Sequence, residues 1–255
     1  MRARIAIPMP HSLDCEYAER AIPQYERAVR LVGGEPVRIL LDQNAASIKE
    51  TIASCDAILL PGSKADVDPL KFGQARSVHT ATTDVRRDEV DCLLLEDAYA
   101  RRKPVLGICY GLQSLNVFRN GSLIQHIPDF LPEEDRTKVN HEAGKKIAVA
   151  HTVEIAEDSL LANIVRAQSS GERSDVRRPI VLPVNSSHHQ SADGIGNGLH
   201  IVARCPDDGI VEALERTSPD HFVLAVQWHP ERSVEEDAAS RAIFEALIKA
   251  ATNGR

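Results

Sequence analysis

The sequence has few aromatic residues and no excess of positive charge, and both absences exclude classes of partner. Phe, Trp and Tyr make up 4% of the 255 residues, too few for a surface on which nucleic-acid bases stack. The net charge is −7, so neither nucleic acid nor an anionic membrane is an expected partner. No apolar run approaches the roughly 20 residues that a membrane-spanning helix needs. The amino terminus lacks the apolar core of an export signal, so we expect a cytoplasmic protein.

Paired cysteines and metal-ligand spacings are also missing. The five cysteines form an odd, sparse set without a CxxC pair: Cys15, Cys55, Cys92, Cys109 and Cys205. This set does not predict a disulfide framework, but it leaves one cysteine that could be a reactive thiol. The ten histidines show no HxxxH or similar spacing, so the sequence predicts no metal site and no cofactor.

In the first half of the chain, short apolar segments alternate with helical ones. The predicted strands are Arg4–Pro8, Val37–Leu41, Ala57–Leu60 and Val105–Ile108. The predicted helices are Pro23–Val32, with Pro23 in its first turn, Ala45–Ala53, with Asn44 as its cap, and Asp84–Arg102. This alternation predicts a three-layer α/β/α sandwich around a mostly parallel sheet.

The second half has more strands and longer polar stretches. Five segments are strand-like, and some are expected to add antiparallel strands: Ile147–Ile155, Ile180–Val184, Leu199–Ala203, Ile210–Glu215 and Phe222–Gln227. A last helix is predicted from Ser233, in a capping box with Glu236, to about Ala251. Pro128–Lys146 and Ala167–Arg178 read as loops, and the first could fold over a site. No repeat or linker divides the chain, so we expect one domain over residues 1–255.

The segment around Cys109 has the pattern of a nucleophile on a sharp turn between strand and helix. The apolar strand Val105–Ile108 leads into Gly107-Ile108-Cys109-Tyr110-Gly111, and a helical stretch follows. Flanking glycines let strand and helix approach closely, and the positive end of the helix dipole favours a thiolate. The backbone N–H of Tyr110 would point towards an oxyanion. The alternative is an inert buried cysteine, but the two glycines favour the nucleophile.

His229 is the best candidate among the histidines for the base of such a nucleophile. It follows an apolar strand and Trp228, and Glu231 comes two residues later. Pro230 biases His229 towards extended backbone, in which residues i and i+2 point the same way. Glu231 could therefore orient the ring while its other nitrogen faces Cys109. A surface His–Glu pair is the alternative.

Six segments, taken together and in order, resemble the class I (triad) glutamine amidotransferases, and within them the peptidase C26 branch. The segments are Leu60–Pro69 with Phe72-Gly73, Pro104–Gln113 with Leu115-Asn116, Gly121–Gln125, Val184–Gln190, Gly209–Ala213 and Ala225–Glu231. The resemblance implies a flavodoxin-like sandwich with added antiparallel strands. It also implies that Cys109 is the nucleophile, His229 the general base and then acid, and Glu231 the orienting carboxylate.

Other roles follow from the same resemblance. Gly62 should supply a second oxyanion N–H beside that of Tyr110, and Gln113 should contact the glutamyl end of a substrate. Three residues of the expected substrate loop are further candidates, with a purely structural role as the alternative: Ser187, His188 and His189. Asp66 could contact substrate or cap a turn, and the sequence slightly favours the cap.

Three positions depart from the family pattern. Ser63 stands where a second glycine is usual, and a positive φ there would strain it. Asn120 replaces the first glycine of a later turn, and asparagine tolerates the left-handed conformation. Tyr110 stands where this branch often has an arginine, and the side chain of such an arginine could bind a substrate carboxylate.

The expected reaction is hydrolysis of a γ-glutamyl amide of the γ-glutamyl-γ-aminobutyrate type, through a thioester, to glutamate and an amine. The expected partner is this small-molecule substrate, and a homodimer is only the default expectation for the assembly. Two alternatives stay open. One is a glutaminase subunit that delivers ammonia to a separate synthetase, and the other is a non-catalytic relative that binds ligands.

Overall fold

A central sheet of nine strands organises the chain in the computed structural model, which describes residues 2–167 and 180–254. The strands of this sheet are β1 (Arg4–Pro8), β2 (Glu35–Ile39), β3 (Ala57–Leu60), β4 (Val105–Ile108), β6 (His151–Ile155), β7 (Ile180–Val184), β9 (Leu199–Arg204), β10 (Val211–Arg216) and β11 (Val223–Val226). The remaining two, β5 (Leu123–Ile124) and β8 (Ser191–Ala192), pair with each other.

The large sheet has a parallel half and an antiparallel half. Its strand order is β2-β1-β3-β4-β11-β10-β9-β6-β7. The strands from β2 to β11 pair in parallel, whereas β10, β9, β6 and β7 are joined antiparallel to β11 and to one another. The predicted mostly parallel sheet with antiparallel additions is therefore confirmed.

Helices cover both faces of the sheet. They are α1 (Cys15–Leu31), α2 (Ala45–Ala53), α3 (Val85–Arg101), α4 (Tyr110–Phe118), α5 (Ile127–Phe130), α6 (Leu160–Arg166) and α7 (Ala238–Asn253). One layer is formed by α2, α3 and α4, which contact each other in that order, and the other by α1, α7 and α6. Strands β3, β4 and β11 lie between the layers and are buried along their whole length, which explains their continuous apolar sequences.

Two helix starts predicted from the sequence are wrong. Helix α1 begins at Cys15, because the carboxylate of Asp14 accepts the N–H of Tyr17, and Pro23 lies inside the helix instead of in its first turn. Helix α7 begins at Ala238, not at Ser233, because Asp237 caps it by accepting two backbone N–H groups. Ser233 instead ends a 3-10 turn formed by Pro230–Arg232.

Smaller differences concern strand ends and loops. Strand β2 lies two residues before its prediction, and β6 begins only at His151. The predicted loop Pro128–Lys146 contains most of α5 and a 3-10 turn at Ala143–Lys145. Apart from Ala167, the predicted loop Ala167–Arg178 falls outside the described residues. Within residues 2–167 and 180–254, no helix has the length and apolar character needed to cross a membrane.

Candidate active site

Three neighbouring parallel strands bring the predicted site residues together. Gly62 follows β3, Cys109 follows β4 and His229 follows β11 after two intervening residues. In an open parallel sheet the carboxyl ends of adjacent strands meet at one edge, where ligands usually bind. The sheet order β3-β4-β11 therefore places residues that are far apart in sequence around one point, with Cys109 in the middle.

Cys109 occupies a strained turn between β4 and α4. Its backbone has φ 54° and ψ −106°, a conformation that residues with a side chain rarely adopt. The flanking glycines are sterically required, since a Cβ at Gly111 would lie 2.2 Å from the carbonyl oxygen of Leu60. One at Gly107 would lie 2.8 Å from the carbonyl oxygen of Gly111. This is the geometry of a nucleophile elbow.

His229 and Glu231 form a short, buried hydrogen bond. The distance from His229 Nδ1 to Glu231 Oε1 is 2.7 Å, and both residues are 5% exposed. The extended backbone expected between them is wrong, because Pro230–Arg232 makes a 3-10 turn. The turn brings the two side chains together all the same. A carboxylate can only accept, so Nδ1 carries a proton, and in the neutral ring Nε2 has a free lone pair.

The surroundings of His229 and Glu231 shift the pKa of both side chains. Burial lowers the pKa of His229, but the negative charges of Glu231 and Cys109 outweigh burial and raise it to about 9. Burial raises the pKa of Glu231, but His229 outweighs burial and lowers it below its usual value. The pocket therefore stabilises the protonated form of the His229 imidazole.

Asn185 holds the backbone of His229 at two points and was not recognised from the sequence as a site residue. Its Oδ1 accepts the N–H of His229 at 2.9 Å, and its Nδ2 donates to the carbonyl oxygen of His229 at 2.9 Å. This two-point contact fixes the position of His229 from the neighbouring loop. The signal in the sequence was the asparagine in the Val184–Gln190 segment, which gave no reason to connect it with His229.

Gly62 lies directly against the other site residues. A Cβ there would be 3.0 Å from His229 Cε1 and from the Tyr25 hydroxyl, so a side chain would crowd both, and it would touch Cys109 Cβ at 3.5 Å. Its N–H donates to the hydroxyl of Tyr25 at 3.0 Å. An oxyanion would have to take this N–H from Tyr25. Ser63 does not have a positive φ, so the strain expected there is absent.

Arg87 holds the segment before Gly62 in place. It is another residue that the sequence did not indicate as part of the site. It is fully buried, pairs with Asp91 at 2.7 Å and donates to the carbonyl oxygen of Pro61 at 2.8 Å. The side chain of Tyr110 stacks on Arg87 and hydrogen-bonds Asp88. Tyr110 therefore points into the protein, and its side chain does not line the cavity.

A cavity of about 590 Å³ opens above Cys109. Its lining includes Cys109, His229, Glu231, Gln113 and the segment Ser187–Gln190, but neither Gly62 nor Tyr110. Further lining residues were missed: Tyr17, Arg20, Gln24, Tyr25, Lys64, Glu142 and Arg232. The first four belong to α1, whose beginning was misplaced, so two of them fell outside any predicted element. Glu142 comes from the predicted loop Pro128–Lys146, which therefore reaches the site.

The predicted substrate residues differ in their surroundings. Gln113 Nε2 donates to the carbonyl oxygen of Gln190 at 3.2 Å. His189 Nε2 lies 3.0 Å from Asp66 Oδ1, and Asp66 also accepts the N–H of Ala81. Asp66 thus connects two loops, and it also lines the cavity, so both a structural role and a substrate contact stay open. His188 is buried and turns towards the protein interior, whereas Ser187 is half-buried.

The fold and the sequence both have known relatives. The solved structures with this fold include a protein of Thermoplasma acidophilum described as a subunit of GMP synthase (TM-score 0.63, 13% identity, 99% of this chain and 96% of that one). They also include the glutaminase domain of CTPS from Trypanosoma brucei (TM-score 0.59, 19% identity, 98% and 94%). At these identities they show the fold alone, that of the flavodoxin-like class I glutamine amidotransferases.

Sequence relatives narrow the assignment. The chain is 32% identical to a glutamine amidotransferase-like protein of Rickettsia prowazekii, over 89% of this chain and 87% of the relative. It is also 32% identical to gamma-glutamyl-gamma-aminobutyrate hydrolase PuuD of Escherichia coli, over 89% and 84%. The family model Peptidase C26 matches residues 9–231, a span that includes Cys109, His229 and Glu231. The chain is a glutamine amidotransferase-like hydrolase and belongs to the peptidase C26 family.

Proposed function

We propose that this chain hydrolyses γ-glutamyl amides through a catalytic triad of Cys109, His229 and Glu231. The observation that carries the proposal is their arrangement: a cysteine on a strained elbow and a buried His–Glu pair line one cavity. The substrate class is supported by the relative PuuD, whose name gives γ-glutamyl-γ-aminobutyrate as its substrate.

In the first half of the proposed reaction, His229 takes the proton of the Cys109 thiol. The thiolate attacks the side-chain carbonyl carbon of the glutamyl group, and the C=O electrons move onto oxygen. The N–H groups of Gly62 and Tyr110 would stabilise this oxyanion, each by about 3 kcal/mol. The protonated His229 then gives its proton to the leaving nitrogen, which releases the amine and leaves a thioester.

In the second half, a water molecule resolves the thioester. His229 accepts one proton of the water, and the hydroxide attacks the same carbonyl carbon. Collapse of the tetrahedral intermediate expels the Cys109 thiolate and releases glutamate. Throughout, Glu231 holds the ring and offsets its positive charge, as the acid of a triad does.

Cations around the cavity fit a substrate that carries carboxylates. The overall charge of −7 repels such a substrate, so local groups must bind it. Arg20, Lys64 and Arg232 line the cavity and provide positive charge. In our proposal they receive the carboxylates of the glutamyl group and of an acidic amine such as γ-aminobutyrate.

The experiment is a glutamate-release assay on the purified chain with a panel of γ-glutamyl amines. We expect hydrolysis without any added protein, the highest kcat/KM for amines that carry a carboxylate, and no activity in Cys109→Ala. Glutaminase activity that appears only with an added synthetase would contradict the proposal and favour the alternative in which the chain is a glutaminase subunit. If wild type and Cys109→Ala bind the ligand equally well and neither turns it over, the result favours the alternative of a non-catalytic, ligand-binding relative.

A further inference from the structure

Behind the wall of the cavity lies a buried group of three histidines and one glutamate. We refer to His141, His151, His188 and Glu212 as the histidine cluster; all four are at most 8% exposed. They come from different elements: the turn before β6, the start of β6, the loop between β7 and β8, and β10. They are spread over 72 positions, from 141 to 212, so they do not form a short motif that the sequence could show.

The inner atoms of the cluster converge on one carboxylate oxygen. Glu212 Oε1 lies 3.1 Å from His141 Nδ1, 3.3 Å from His151 Nε2 and 3.3 Å from His188 Nε2. Ligands bound to zinc at about 2.0 Å in a tetrahedron are separated by about 3.3 Å, the edge of that tetrahedron. The three distances from Glu212 Oε1 therefore match three edges of such a tetrahedron, and all four atoms lie within 4.8 Å of one another.

These contacts are longer than a strong hydrogen bond between a charged imidazole and a carboxylate. Each of the four converging atoms is buried and lacks a hydrogen-bond partner with acceptable geometry. Hydrogen bonds between charged groups are usually about 2.7–2.9 Å long. Two histidine–carboxylate hydrogen bonds of this protein have that length: 2.7 Å for His229 with Glu231, and 2.8 Å for His141 Nε2 with Asp208.

The outer ring nitrogens show which way the histidines face. His141 Nε2 bonds Asp208 Oδ2 at 2.8 Å. His151 Nδ1 lies 2.9 Å from the carbonyl oxygen of Thr152, and His188 Nδ1 lies 2.9 Å from that of Gln190. These oxygens can only accept, so each outer nitrogen carries a proton and, in the neutral ring, the inner nitrogen presents a lone pair. This second layer of contacts is the one that metal-binding histidines normally have.

We propose that His141, His151, His188 and Glu212 bind one divalent transition-metal ion, with zinc as the metal that the ligand set fits best. Three imidazoles and one carboxylate form a borderline ligand set that suits zinc better than magnesium or calcium. Four protein ligands complete a tetrahedron and leave no open position, so the site is structural and takes no part in the chemistry at Cys109.

Protons are the other cations that could fill this space. Burial lowers the pKa of His141, but the carboxylates of Asp208 and Glu212 outweigh burial and raise it to about 9. Protonated inner nitrogens would donate to Glu212 in hydrogen bonds of about 2.7–2.9 Å, whereas the observed contacts are 3.1–3.3 Å long. The geometry therefore favours the metal, and metal analysis separates the two.

The site would fix one wall of the cavity. His188 lines the cavity together with its neighbours Ser187 and His189. Asn185, which holds His229, lies three residues earlier in the same loop. A metal ion would join this loop to β6 and β10 at their sides. The sequence expectation of no metal site considered only short spacings and could not include such a long-range set.

The test measures the metal content of the full chain, expressed with zinc supplied and dialysed against metal-free buffer. By elemental mass spectrometry we expect about one zinc ion per chain. His151→Gln and Glu212→Gln should lose most of it. The matched control is His221→Gln, because His221 is equally buried but lies outside the cluster. Zinc that stays bound in both cluster variants would overturn the proposal.

A second measurement needs no variant and therefore does not depend on how the variants fold. Chelator-treated wild-type protein is titrated with zinc chloride, and Tm is followed by circular dichroism. We expect Tm to rise and to saturate at about one equivalent, since a ligand that binds only the folded state stabilises it. A folded wild type that holds no zinc, and whose Tm zinc does not change, would show that protons fill the cluster. Neither readout depends on the proposed enzymatic activity.

Discussion

Within residues 2–167 and 180–254, two buried groups of histidine and glutamate have different geometries. In the candidate active site one histidine, His229, meets one glutamate, Glu231, at 2.7 Å. In the histidine cluster three imidazoles surround one oxygen of Glu212 at 3.1–3.3 Å. The first pair lines a cavity, whereas Glu212 is completely buried.

The difference shows how contact geometry separates two uses of the same side chains. A short bond between one ring and one carboxylate holds a proton and leaves the other ring nitrogen free, which suits acid–base catalysis. Several rings that turn bare nitrogens towards one oxygen need a cation between them. Breaking each site separately tests whether the two roles are distinct.

The largest effect is expected from the nucleophile of the active site. Cys109→Ser should lower kcat for γ-glutamyl amide hydrolysis by roughly 10⁴-fold or more, because the hydroxyl is a far weaker nucleophile in this setting. Steady-state glutamate release measures it. Cys92→Ser is the control, since Cys92 lies on α3 away from the cavity. Equal activity in Cys109→Ser and wild type would remove Cys109 from the mechanism.

The next effect concerns the orienting carboxylate. Glu231→Gln should lower kcat by roughly 10²- to 10³-fold with a smaller change in KM, because Glu231 acts on the base in the transition state. Loss of this negative charge also lowers the pKa of His229 from about 9, so the alkaline limb of the pH profile of kcat/KM should move to lower pH.

A pH series on wild type, Glu231→Gln and the exposed control Glu235→Gln measures this shift. Glu235 pairs with Arg27 at the surface, so its variant should keep the wild-type profile. An unchanged alkaline limb in Glu231→Gln, or an effect confined to KM, would contradict the orienting role.

A smaller effect is expected from the residue that holds the base. Asn185→Ala removes both contacts with the His229 backbone, so kcat should fall by about tenfold while KM changes less. The exposed Asn163→Ala is the matched control. If kcat and KM of Asn185→Ala equal those of the control, Asn185 does not position His229.

The smallest effect is expected when a variant of the candidate active site is tested for its zinc content. Glu231→Gln should leave zinc content unchanged, because Glu231 lies outside the histidine cluster, whereas Glu212→Gln should lose zinc. Elemental analysis of the two variants in parallel measures this contrast. Zinc loss in Glu231→Gln would mean that the two sites are not independent.

Much of the fold could be predicted because its signals are local. The buried strands Ala57–Leu60 and Val105–Ile108 have the bounds that their apolar runs indicated, and Asn44 caps α2 as expected. The errors occur where two local signals compete. Pro23 suits a helix start, but Asp14 caps α1 nine residues earlier. The spacing of Ser233 and Glu236 suggested a capping box, but Asp237 caps α7 instead.

The candidate site divides in the same way. The elbow at Cys109 and the His229–Glu231 spacing are short motifs, so the sequence pointed to them. Asn185, Arg87 and the residues of α1 depend on chain segments that meet only in the folded protein. The histidine cluster is the extreme case, because each of its members comes from a different segment.

The proposed mechanism requires a covalent bond between the substrate and Cys109. Wild-type enzyme is mixed with a γ-glutamyl amide, quenched in acid within the first turnovers, digested and analysed by mass spectrometry. The predicted result is a glutamyl thioester on the peptide that contains Cys109, absent from Cys109→Ala. Glutamate release at full rate with no adduct on Cys109, or with the adduct on another cysteine, would contradict the account.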